Sequence, residues 1–197
     1  MAAQLIIIAG GIGTGKSVVS RMLRCMGKEV YDCDSRARLL MESDPQLQAK
    51  LAEAFGDDIY RNGQLDRQRL AAIVFNNRQA LNSLNALVHP TVKHDITAWA
   101  HDRQGTAWIE SAIARESSLD SLAAEAWLVT APLDVRIKRV MDRDQASAAQ
   151  VESRIRAQEC ALPWRCPVVE LANDGATPLL PRLHELLSRR LKGNSKS

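Results

Sequence analysis

Eight consecutive residues constrain this chain more than any others: Gly10-Gly-Ile-Gly-Thr-Gly15-Lys16-Ser17, a complete G-x-x-x-x-G-K-S. They follow an apolar run, Leu5 to Ala9, that reads as a short strand buried on both faces. They precede a helical pattern in which Val19, Met22, Leu23 and Met26 share one side, with Gly27 as its stop. Strand, glycine-rich turn and amphipathic helix in that order make a phosphate-binding loop. Glycines let successive backbone N–H groups turn inward around phosphate oxygens, and the helix amino end adds the positive end of its dipole. On this reading Gly11, Gly13, Thr14 and Gly15 form the cradle, Lys16 reaches the β- and γ-phosphates, and the Ser17 hydroxyl ligates Mg²⁺. The plain alternative, a glycine turn with no ligand, explains neither the flanking strand nor the helix.

The rest of the chain alternates strands with helices, which implies a parallel sheet with ligands beyond its carboxyl edge. Lys28 to Asp34 is a second strand candidate, followed by a helix carrying Ala37, Leu40 and Met41. Asp44-Pro45 caps a helix with Leu47, Leu51 and Phe55 on one side, ended by Gly56. Asn62-Gly63 marks a turn, and Asp66 caps a helix through Leu70, Ile73 and Val74. Leu81, Leu84 and Leu87 form one stripe before His89-Pro90, and Val92, Ile96 and Trp99 form another after it. Ala107 to Ile113 and Ala126 to Thr130 read as strands. A helix follows with Val135, Arg139 and Met141, and Ser147 to Gln150 has capping-box spacing for the next. Val168 to Ala172 is the last strand. Thr177-Pro178 opens a terminal helix with Leu180, Leu183 and Leu187, and a polar tail follows Lys192.

Composition removes several classes of function. A chain of 197 residues, 46% hydrophobic and 25% charged, is long enough to bury a core without disulfides. A formal charge of +3 is too small and too dispersed for a nucleic-acid partner. No stretch has the length of a membrane span and no signal peptide is evident, so Cys25, Cys33, Cys160 and Cys166 read as reduced thiols in the cytoplasm. The spacing of Cys160 and Cys166 is not that of a zinc site.

Among loop-bearing nucleotide proteins, a guanine-nucleotide switch needs Asn-Lys-x-Asp, which does not occur, and Asp102-Arg-Gln-Gly105 follows a helix pattern rather than a strand. A small-molecule kinase needs a carboxylate for the acceptor hydroxyl, an acceptor cavity and cations over the moving phosphate. Asp32 and Asp34 sit where the second strand should end, and either can orient a hydroxyl proton. Asp34 reads equally well as the cap of the next helix. Residues 135 to 165 hold seven Arg or Lys against four acids, and Arg139 and Arg143 are one helical turn apart. A solvated basic helix is the bland alternative there.

With these residues in hand the chain resembles the dephospho-coenzyme A kinases. The resemblance lies in the phosphate loop, Val30-Tyr-Asp-Cys-Asp34 with Ala37-Arg38, Phe55-Gly56, Gly63 to Arg67, Ile73 to Phe75, Leu84 to Leu87 with His89-Pro90, Val129 to Pro132, Arg139 to Asp144, Arg154-Ile155 with Gln158, and Asn173 to Gly175. It implies an α/β/α P-loop kinase with one domain: a core of residues 1–34, 106–134 and 166–192, a helical acceptor-binding insertion at 35–105, and a lid at 135–165. The implied reaction moves the γ-phosphoryl of ATP to dephospho-coenzyme A, with Mg²⁺, in a cytoplasmic monomer or small homo-oligomer without membrane or nucleic-acid partners. Asp34 falls at the catalytic carboxylate, with Lys16 and Arg143 beside the phosphates. Val18, Arg139, Asn173 and Gly175 fall on the ATP side, and Arg38, His89 and Glu116 on the acceptor side.

Three departures stand out. Ala112-Ile-Ala-Arg-Glu116 keeps the glutamate of the family's Pro-Leu-Leu-Phe-Glu but brings in Ala114 and Arg115. Val18 replaces a threonine, and Leu162-Pro-Trp-Arg-Cys-Pro167 replaces an acidic run with a lysine. A kinase for another hydroxyl-bearing acceptor, and a nucleotide-binding module without transfer, are the competing readings.

Overall fold

The computed structural model describes residues 3–75, 77–158 and 161–193. The chain forms two compact units, Met1–Tyr31 with Asp102–Ser197, and Asp32–His101.

The first unit is built on a five-stranded sheet of β1 (Gln4–Ala9), β2 (Val30–Asp32), β5 (Thr106–Ser111), β6 (Glu125–Thr130) and β7 (Val168–Ala172), in the order β2-β5-β1-β6-β7. The central strand β1 runs parallel to β5, with Ile6 opposite Trp108, and parallel to β6, with Ile8 opposite Trp127. β6 is parallel to β7. Both faces of β1 are sealed, since Ile6, Ile7 and Ile8 are all 0% exposed, which is why its sequence is apolar throughout rather than alternating.

One face carries the main core. Ile6, Ile8, Trp108, Trp127, Val129 and Leu171 of the sheet meet Val19 and Leu23 of α1 (Lys16–Cys25) and Leu179, Leu183 and Leu186 of α8 (Leu179–Gly193). Trp108 and Trp127, 2% and 0% exposed, stand 4.6 Å apart between ring centroids in that core. Truncating fully buried Leu23 to alanine costs about 2–5 kcal/mol. The terminal helix turns two of its three expected leucines inward, with Leu183 buried and Leu187 packed against the core, and leaves the third outside. Leu179 and Leu186 are buried, whereas Leu180 is exposed. The tail expected beyond it, and Cys160, lie outside the described residues.

The second unit is helical. It contains α2 (Cys33–Ser43), α3 (Pro45–Phe55), α4 (Arg67–Val74) and α5 (Arg78–His101), with a hairpin of β3 (Tyr60–Arg61) and β4 (Gln64–Leu65). The hairpin turns through Asn62 and Gly63, both at positive φ, the geometry that an Asn-Gly pair favours. Asp44 and Asp66 cap α3 and α4 through their carboxylates. α2, α3 and α4 all pack on α5. The two stripes either side of His89-Pro90 belong to one helix, because Val88, Val92, Ile96 and Ala100 bury a continuous face past the proline. The second strand is shorter than its sequence suggests, ending at Asp32, and Cys33 already opens α2. No helix among the described residues is long and apolar enough to cross a membrane.

Candidate active site

The loop between β1 and α1 takes its shape from glycines at two positions where no side chain fits. Gly13 has φ +79°, and a Cβ there would lie 2.7 Å from the Arg136 carbonyl oxygen. Gly15 has φ +96°, and its Cβ would collide with the Asn173 carboxamide. Gly15 is also the N-cap of α1, and no side chain caps that helix. Its first-turn N–H groups are therefore the natural partners of an anion.

The loop closes on itself and is then gripped from outside. The Gly11 carbonyl accepts from the Thr14 hydroxyl at 2.9 Å and from Lys16 Nζ at 3.2 Å. Asn173, at the end of β7, donates Nδ2 to the Thr14 carbonyl at 2.8 Å. The Ile12 peptide is held from both sides: its N–H donates to Gln158 Oε1 at 2.6 Å, and its carbonyl accepts from Arg136 Nε at 3.0 Å. Its side chain packs on a small core of Val140, Val151 and Ile155, contributed by α6 (Leu133–Asp144) and α7 (Ala148–Ala157). With the carbonyls at 11, 12 and 14 occupied by protein donors, the loop chiefly offers a ligand its own donors.

Arg139 and Arg143 diverge, although they stand one turn apart. Arg139 donates Nη1 to the Asn173 carbonyl at 3.0 Å and reaches Gly13 O at 3.5 Å. Arg143, on the last turn of α6, is exposed and pairs with its neighbour Asp144 at 2.7 Å, where Arg154 also arrives at 3.1 Å. The Arg143 hydrogen bond, followed by the two cationic charges, holds the Asp144 carboxyl below the ordinary carboxylate range. Ser17 is exposed on the first turn of α1, while Val18 is half-buried against the main core. Glu116 is exposed in the turn after β5. Gly175, at φ +88°, lies in a turn fastened by Asp174, whose carboxylate accepts from the Ala176 and Thr177 N–H groups and the Thr177 hydroxyl. Those bonds, chiefly the one from the Thr177 N–H, hold Asp174 below its usual value.

Arg136 and Gln158 are site residues that sequence reasoning counted without assigning a role. Arg136 precedes Arg139 by three positions, the other helical-neighbour spacing, and that was the available signal. Nothing local to Gln158 pointed at Ile12.

In the helical unit, Asp34 is exposed on the first turn of α2 and is not its cap. Asp32 is the cap, accepting from the Asp34 and Ser35 N–H groups at 3.0 and 3.2 Å. The strand ends two residues early, which moves the cap with it. Arg38 is exposed one turn further along α2, on the same face as Asp34. Between them Arg36 forms a forked pair with Asp95 of α5, with Nη2 2.7 Å from Oδ1 and Nε 3.0 Å from Oδ2. His89 is half-buried in the middle of α5.

A parallel sheet whose central strand opens into a G-x-x-x-x-G-K-S loop and an uncapped helix, with an arginine-bearing helical pair packed on that loop, defines a P-loop kinase. Residues 4–162 match the protein family described as Dephospho-CoA kinase. A dephospho-CoA kinase of Porphyromonas gingivalis is 42% identical over 153 residues, covering 77% of this chain and 76% of its own length. One from Bacteroides fragilis is 34% identical over 185 residues, covering 92% and 90%. The crystal structure of TT1252 from Thermus thermophilus superposes with a TM-score of 0.77 at 31% identity, over 98% of both chains. The chain belongs to the dephospho-CoA kinase family.

Proposed function

We propose that this chain transfers the γ-phosphoryl group of ATP to the 3′-hydroxyl of dephospho-coenzyme A in the cytoplasm, releasing ADP and coenzyme A. The observation that carries this reading is the family match over residues 4–162, a span that includes the phosphate loop, Asp34, Arg38, His89, Glu116 and Arg143. The loop N–H groups and Lys16 hold the β- and γ-phosphates. Asn173 and Gly175 lie beside the adenine, and Arg38, His89 and Glu116 contact the acceptor. The acceptor oxygen bonds to the γ-phosphorus as the bond from that phosphorus to the β,γ-bridging oxygen breaks. The hydroxyl proton passes late to Asp34, whose main work is to position the alcohol. Arg143 and Arg139 stabilise the charge spread over the moving phosphoryl group.

Mg²⁺ fits the residues present. Ser17 places a hydroxyl oxygen directly after the phosphate-binding lysine, and no cluster of three acidic, histidine or cysteine ligands occurs among the described residues. Mg²⁺ needs no such cluster where phosphate oxygens and water complete its shell. When bound it neutralises phosphate charge.

The test is ADP formation by the purified chain, with ATP, Mg²⁺ and a panel of hydroxyl acceptors. Dephospho-coenzyme A alone should support turnover, and only with Mg²⁺. Faster turnover with another acceptor replaces the substrate, and tight ATP binding without transfer to any acceptor removes the enzyme reading.

A further inference from the structure

The turn after β5 and the segment 162–165 hold each other with two arginines pointing in opposite directions. From the turn, Arg115 donates Nη1 to the Leu162 carbonyl at 2.9 Å and lays its guanidinium over Trp164, 5.1 Å from the ring centroid. From the segment, Arg165 donates Nη1 to Asp120 Oδ1 at 2.9 Å and its backbone N–H to Oδ2 at 3.0 Å. A longer contact joins Arg165 Nη1 to the Arg115 carbonyl at 3.5 Å. Asp120 has a side-chain exposure of 0%, and Arg165 sets a positive charge against that buried carboxylate.

Ala114-Arg115 and Leu162 to Pro167 are two of the three places where the sequence departs from the pattern that the resemblance implies. Taken singly, each departure removes an expected feature. In the structure each supplies the other's partner, and the pair makes one clasp.

What the clasp joins gives it a use. Four residues before Leu162, Gln158 accepts the Ile12 N–H of the phosphate loop. Directly after Arg115 comes Glu116, assigned above to the acceptor. We propose that Arg115, acting through Trp164, is a positioning residue that ties the Glu116 turn to the nucleotide-side lid, so that nucleotide on the phosphate loop raises acceptor affinity. The proposal rests on the acceptor reading given above. By linkage the effect is reciprocal, with acceptor tightening nucleotide binding by the same factor.

Two measurements on the full chain test it. The first uses no acceptor: hydrogen exchange of the 112–118 amides, with and without a non-hydrolysable ATP analogue. The wild-type turn gains protection with the analogue, and Arg115→Ala gains none. The second varies dephospho-coenzyme A at saturating ATP. Arg115→Ala raises its KM on the order of 5- to 10-fold while kcat stays within about twofold. Arg115→Lys recovers only part, because an ammonium keeps the charge but not the planar stack. Trp164→Leu matches Arg115→Ala, and the double variant is no worse than either. Unchanged protection in Arg115→Ala overturns the proposal, as does an unchanged KM or additive losses. If the wild-type chain makes no ADP from dephospho-coenzyme A, the functional reading falls, while the exchange measurement still decides the clasp.

Discussion

The phosphate loop and the helical unit after β2 use their residues in opposite ways. In the loop, the atoms proposed to bind nucleotide are also the ones that hold the architecture. Gly15 caps α1 and leaves room for Asn173, and the Ile12 peptide is pinned between Gln158 and Arg136. In the helical unit the two roles are separated. Leu47, Leu51, Val92 and Ile96 are buried and hold the helices, while Asp34 and Arg38 stand exposed on α2. The difference teaches where chemistry can be changed without touching the fold.

The sharpest way to break this comparison is Gly15→Ala. A residue with a Cβ is strained at φ +96° and strikes the Asn173 amide, so the loop must move. Turnover should fall by at least about 100-fold, with a melting temperature lower by roughly 5 °C. A variant of normal stability and normal rate would remove the claim that the two roles coincide there.

Asp34→Asn is the mirror case. Its kcat should drop by roughly 10²- to 10⁴-fold while the melting temperature holds, because the helix cap is Asp32. Asp32→Ala should instead cost about 1 kcal/mol of stability. Calorimetry beside steady-state kinetics separates the two, and the comparison fails if Asp34→Asn melts early or turns over normally.

A smaller contrast lies within the first unit. Arg143→Ala should lower kcat by about 10- to 100-fold with little change in stability, since among the described residues its guanidinium pairs with the neighbouring surface carboxylate of Asp144. Arg139→Ala should lower both, because that guanidinium also fastens the end of β7. Equal stability losses in the two variants would erase the distinction.

The smallest effect concerns acid. The Asp144 carboxyl is held below its ordinary 3.8, first by the Arg143 hydrogen bond. A depressed folded value means the pair's contribution is fully present above the unfolded value and is lost as pH falls through the folded one. The melting-temperature difference between wild type and Asp144→Asn should therefore be constant near neutrality and shrink only below about pH 4. A difference that persists into strong acid would contradict this.

What the sequence made legible was local. The phosphate loop is a contiguous octet, and the caps at Asp44, Asp66 and Ser147 act within three residues of themselves. Where tertiary packing decides, the pattern misled. Proline usually ends a helix by removing an N–H and crowding the preceding turn, yet burial on both sides of Pro90 carries α5 through it. The terminal helix has so many leucines that two inward faces fit them, and only the sheet selects Leu179, Leu183 and Leu186. Arg136 and Gln158 find Ile12 across 124 and 146 residues of chain, a pairing that no spacing rule encodes.

The most direct test follows the phosphorus atom itself. ATP labelled on its γ-phosphorus is incubated with the chain, Mg²⁺ and dephospho-coenzyme A, and the product is treated with a phosphatase specific for 3′-monophosphates. The label should appear in coenzyme A and be released quantitatively by that enzyme. Label found only in inorganic phosphate, or on coenzyme A in a form the phosphatase leaves intact, would contradict the transfer proposed here.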